Sequence, residues 1–87
     1  MKKIRFNRIS IVLDEFDLDQ KDLAELIGVS KDTVSRWCRN VHQPKLQDLY
    51  HIAKALRIDI RRLIEPTSWE NEKGLSLVEK FRLNKKQ

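Results

Sequence analysis

The 87-residue chain is long enough for one small domain. Its hydrophobic share of 40% supplies a modest core, while two glycines and two prolines leave too few tight turns for a β-sandwich or barrel. The formal net charge of +5 is unevenly spread: residues 1–8 are purely basic, 14–25 are acidic, 31–45 and 46–62 are basic, 63–79 are acidic, and the last eight carry +4.

A basic stretch between acidic ones fits either a polyanion-binding face or ordinary surface charge. No apolar run approaches the ~20 residues of a membrane span. The opening MKKIRF is basic, but the apolar run and small-residue cleavage site of a secretory signal do not follow it. Cys38 is the lone cysteine, so no internal disulfide can form, and the expected location is cytoplasmic.

In chain order, Ile9, Val12, Leu13 and Phe16 recur at helical spacing, with Ile11 beside them and Asn7 as a cap. This predicts a first helix from Arg8 to Phe16. Asp19 can cap a second helix, with Asp22 as its capping-box partner. Leu23, Ala24, Leu26 and Ile27 form that helix's apolar side, and Gly28 stands where a left-handed C′ residue is wanted. Ser30 can cap a third helix, with Val29 and Val34 in the positions of a hydrophobic staple.

Residues 40–44 break the pattern. A fourth helix is expected from Lys45 to Leu56, with Leu46, Leu49, Tyr50, Ala53 and Leu56 inward. Asp59 can cap a short fifth helix, Ile60 to Ile64, ended by Pro66. Beyond Pro66, Leu75, Leu77, Val78, Phe81 and Leu83 suit a strand or a helix equally. Residues 3–7 faintly echo residues 80–84, by chance or as two strands that pair.

The join between the second and third helices is the informative feature. A minimal side chain at Ala24 permits close approach, Gly28 turns the chain, and Val34 and Trp37 pack the third helix back onto the second. Together they make a helix-turn-helix unit. At about 100° per residue, with Lys31 at 0°, Ser35, Arg39, Asp32 and Arg36 fill an arc to about 140°, whereas Cys38, Val34 and Trp37 lie between about −20° and −120°. One face is anchored; the other carries long donors suited to a major groove.

The residues Gln20, Leu23-Ala24, Gly28-Val29-Ser30, Val34-Ser35-Arg36-Trp37 and Asn40, followed by Pro44, Leu49, Ile52-Ala53, Leu56 and Leu63, resemble the lambda-repressor-like (Cro/XRE-type) helix-turn-helix family. The resemblance implies an all-α, five-helix DNA-binding domain at 7–65, a basic arm at 1–6 and a C-terminal extension at 66–87. It implies a sequence-specific transcriptional regulator, most often a repressor, that binds double-stranded DNA as a homodimer through the helix at 30–39. The family also contains antitoxins and restriction-modification controllers, so the extension could instead hold a partner protein, pack on its own domain, or trail as a loose tail.

Carried over by position, Lys31, Asp32, Ser35 and Arg36 are expected at base edges, with Arg36 able to take guanine bidentately. Asp32 could accept from cytosine or orient Arg36 across one helical turn. Gln20, Thr33, Arg39, Asn40 and Lys45 are expected at phosphates. Asp19, where the family often has an uncharged cap, and nearby Asp17 place carboxylates close to that contact.

Cys38, His42 and His51 lack zinc-ligand spacing, and no phosphate loop or nucleophile elbow occurs. Cys38 lies on the packing arc of its helix and reads as a structural thiol. No enzyme activity, metal or cofactor is expected. Trp37 is expected in the core, and Trp69 as a tail anchor or interface residue.

Overall fold

The computed structural model describes residues 4–85. Helices α1 (Ile9–Glu15), α2 (Gln20–Ile27), α3 (Lys31–Cys38) and α4 (Leu46–Leu56) are followed by a 3₁₀ turn, Ile60–Leu63, and a separate helix α5 (Leu77–Lys85). The architecture is all-helical among the described residues, as the apolar periods predict. The positions 1–3 of the basic arm and 86–87 of the extension lie outside the described residues.

Local chemistry sets the helix ends. Asp19 and Asp22 form a reciprocal capping box: Asp22 N–H donates to Asp19 Oδ1 at 2.8 Å and Asp19 N–H to Asp22 Oδ2 at 3.1 Å. Gly28 ends α2 at φ 73°, with its N–H and that of Val29 both donating to the Ala24 carbonyl. Two residues later the Ser30 hydroxyl accepts from Thr33 N–H at 3.0 Å and starts α3. Asp48 reaches back to the Lys45 N–H at 2.9 Å at the start of α4, and Asp59 caps the 3₁₀ turn.

The core gathers Ile9, Val12 and Leu13 from α1, Leu23 and Ala24 from α2, Val34, Trp37 and Cys38 from α3, Leu49, Ile52 and Ala53 from α4, and Leu63. The two ends of the domain meet in an antiparallel bridge between Asn7 and Ile64. Arg8 N–H donates to the Leu63 carbonyl at 2.9 Å, and Glu65 N–H to the Phe6 carbonyl at 3.0 Å. An Arg8–Glu65 ion pair of 2.8 Å lies beside them.

Some expected positions shift. Arg8, not Asn7, is the residue at the cap of α1, although Asn7 Oδ1 does accept from the first helical amide, Ile9, at 3.0 Å. On α4, Leu46 is 67% and Tyr50 58% exposed, while Ile52, left out of the expected inward face, is fully buried. Leu26 is likewise exposed. The fifth element is a 3₁₀ turn that stops at Leu63, because Ile64 turns extended to join the bridge.

Residues 77–85 resolve as a helix rather than a strand, so residues 80–84 do not pair with the N-terminal segment as strands. The radius of gyration is 17.3 Å, against about 12 Å for a compact chain of this length. The extension projects from the domain, and every residue from Pro66 to Lys85 is exposed.

Candidate nucleic-acid interface

The tight Gly28 turn presents α3 with its inner side seated in the core. Val34, Trp37 and Cys38 are buried, as expected from their arc. Lys31, Asp32, Arg36 and Arg39 are exposed; Ser35 within the arc and Thr33 on its flank are half-buried. The arc of long polar groups therefore remains available on the outer face, and the fold holds the helix from behind.

Within that face Arg36 Nη2 meets Asp32 Oδ2 at 2.8 Å, the one-turn pairing that the sequence allows. Thr33 has its hydroxyl 2.7 Å from that of Ser30, which ties it to the cap. Gln20, half-buried at the start of α2, and Lys31 line one shallow groove of about 470 Å³ between the end of α1 and the starts of α2 and α3. Asp14 and Asp19 line it too. Carboxylates there oppose a phosphate by like charge, whereas Lys21 and Lys31, which line the same groove, attract one. Lys45 is exposed at the start of α4.

Asn40 departs from its expected role. Its side chain is buried, and Oδ1 accepts from Phe6 N–H at 2.8 Å, Asn7 N–H at 3.0 Å and Gln43 Nε2 at 3.2 Å. Its backbone sits at φ 56°, in the left-handed region that asparagine tolerates better than most residues. Asn40 is thus a clasp that ties the N-terminal segment to the end of α3, and its side chain is withdrawn from any phosphate. Asn7 completes the clasp by donating from Nδ2 to the Trp37 carbonyl at 2.9 Å and to Gln43 Oε1 at 2.8 Å.

Sequence reasoning missed Gln43 and Arg5. The clasp delivers Arg5 to the α3 side of the domain, where its charge acts on the Cys38 thiol and tends to lower its pKa. Burial, the larger influence, and the Asp14 carboxylate raise that pKa, and the net shift is upward. The signal for Gln43 was an amide three residues after Asn40, but its partner, Asn7, is remote in sequence. His42 and His51 are exposed, and His51 stacks edge-on with Tyr50 at 5.7 Å. No cluster of metal-binding side chains occurs among the described residues.

Comparison with known proteins agrees with this geometry. A family model described as helix-turn-helix matches residues 9–63. A candidate DNA-binding protein from Bacteroides fragilis is 46% identical, with a TM-score of 0.66; the match covers 68% of this chain and 95% of that one. A transcriptional regulator from Listeria innocua shares the fold at 22% identity and a TM-score of 0.61, over 91% of this chain and 75% of that one. No curated protein matches. With more than half of its length inside that family model, and a solved relative aligned along nearly all of its own length, this chain belongs to the helix-turn-helix family of DNA-binding regulators.

Proposed function

We propose that this protein is a sequence-specific transcriptional regulator, acting as a repressor in the cytoplasm, that reads operator DNA as a homodimer with α3 in the major groove. The observation that carries the reading is the division of α3: Val34, Trp37 and Cys38 are buried while Lys31, Asp32 and Arg36 stand outward. Arg36 supplies the fork for guanine O6 and N7, with Lys31 and Ser35 at neighbouring edges and Asp32 aiming Arg36 or accepting from cytosine. Gln20, Thr33, Arg39 and Lys45 hold phosphates and set the register.

The test is selection from a random DNA library at ~0.1 M salt, where phosphate contacts remain appreciable. An enriched palindrome is expected, with half-sites ~34 Å apart on one face of the duplex. Retention without enrichment would defeat the proposed base contacts. A second reading, a module whose extension holds a different protein as antitoxins do, draws support from the exposed apolar residues beyond Pro66. Absence of DNA binding would shift weight to it.

A further inference from the structure

We infer that the extension docks on the same segment of a second copy of this chain, with the two α5 helices antiparallel. The basic, Phe81-bearing end of each helix then enters the apolar, net-acidic groove between Trp69 and the start of α5 in the other. The inference rests on the homodimer of the proposed function, for which it names the surface, but not on the base contacts, and it concerns the protein without DNA.

The first argument is stability. Helix α5 has nine residues and buries none of them. Isolated helices shorter than ~12–15 residues are marginal in water. Its start is well specified: Glu79 N–H donates to Ser76 Oγ at 3.2 Å, and Ser76 N–H to Glu79 Oε1 at 3.1 Å, a capping box. A helix with a defined start and no packing within its own chain calls for a surface outside that chain.

The second argument is shape. Trp69 is 71% exposed, Leu77 84% and Phe81 58%. Trp69, Leu75 and Leu77 line a groove of about 660 Å³ together with Glu72, Glu79 and one base, Lys73, so its charged lining is acidic on balance. One turn beyond Leu77, Phe81 continues the same face, with Lys85 Nζ 5.3 Å from its ring centroid. The extension thus contains both an apolar slot and an apolar plug.

The third argument is charge, and it selects the occupant. Residues 63–79 carry a net −3 and residues 80–87 a net +4. Parallel pairing would set acid against acid and base against base. Antiparallel pairing about a two-fold axis sets each basic end on the partner's acidic end, twice over, as an isologous interface requires. A second copy therefore meets the charge and shape demands with no further component.

The experiment is sedimentation equilibrium of the full chain, free of DNA, at ~0.1 M salt. A monomer–dimer equilibrium is expected. Phe81→Asp should raise the dissociation constant by tenfold or more. Glu70→Lys with Glu72→Lys, or Lys80→Glu with Arg82→Glu, should each weaken dimerisation on the order of tenfold. Mixing those two double variants should restore a mixed dimer.

All of these variants should keep the melting temperature of the domain, since every residue from 66 to 85 is exposed. A chain that stays monomeric at millimolar concentration would overturn the inference. So would a dimer indifferent to Phe81→Asp, or charge variants that neither weaken nor complement one another.

Discussion

Arg36 grips Asp32 across one turn of α3, guanidinium to carboxylate at 2.8 Å, on the face turned away from the core. Both side chains are at least half exposed, so the pair adds little to stability. Its consequence is directional: the guanidinium is held at one azimuth before any ligand arrives.

Replacing Arg36 by Ala should therefore cost ~1–3 kcal/mol on the preferred operator and relax preference at one base pair. Equal losses on operator and random DNA would remove Arg36 from the base readers. Because Asp32 acts through Arg36 on this account, the Asp32→Ala/Arg36→Ala pair should cost no more than Arg36→Ala alone. Binding titrations of the double-mutant cycle check this; additive losses would make Asp32 an independent base contact.

Lys45→Ala should behave differently. A lysine that meets only phosphate weakens every sequence alike and lowers the slope of log K against log salt by about 1. Titrations at three salt concentrations on specific and random duplexes measure both effects. A sequence-dependent loss would contradict the phosphate role.

The Asn40 clasp makes a stability prediction. Asn40→Ala leaves the amides of Phe6 and Asn7 without their acceptor and puts a less tolerant residue at φ 56°. Loss of the buried acceptor should cost about 1–3 kcal/mol, with backbone strain adding to it. Urea denaturation of the variant checks the value. A change within ±0.5 kcal/mol would mean that water replaces the clasp.

Helix α4 supplies an internal contrast. Ile52→Ala should cost about 2–5 kcal/mol, because the side chain is fully buried. Leu46→Ala and Tyr50→Ala should stay within about ±0.5 kcal/mol, because both are largely exposed. Thermal melts of the three variants decide between this face of the helix and the one first expected.

Cys38 ties stability to alkaline pH. Burial of its thiol raises the pKa above the ordinary 9.0, so the folded state holds the proton more tightly than the unfolded one. The resulting stability is fully present below pH 9 and is lost as pH rises through the folded pKa. Maleimide should modify the native protein slowly at pH 8 and the urea-unfolded chain quickly. Comparable rates would place the thiol at the surface.

The helix-turn-helix was legible because its determinants are local. Asp19 with Asp22, Gly28, and Ser30 with Thr33 act within four residues, and the structure uses each of them. The face of α4 was misjudged because two apolar stripes share Leu49, Ala53 and Leu56. Contact with α2 and the 3₁₀ turn selects the one through Ile52. The clasp was illegible because its partners stand thirty or more residues apart. The helical state of residues 77–85 was undecided from periodicity, although Ser76 and Glu79 carried a capping-box spacing that pointed to it.

The Asn7–Ile64 bridge also bears on the order of assembly. Contacts across the Gly28 turn close over a handful of residues, whereas this bridge must bring together the two ends of the domain and so bears the largest loop-closure entropy. It is the expected final step of folding and the first to open. The amides of Phe6, Arg8 and Glu65, all hydrogen-bonded at that seam, should exchange with solvent earlier than those in the middle of α4. The basic arm and the α5 extension both depart from this seam, so the last bonds to form fix the positions from which both appendages work.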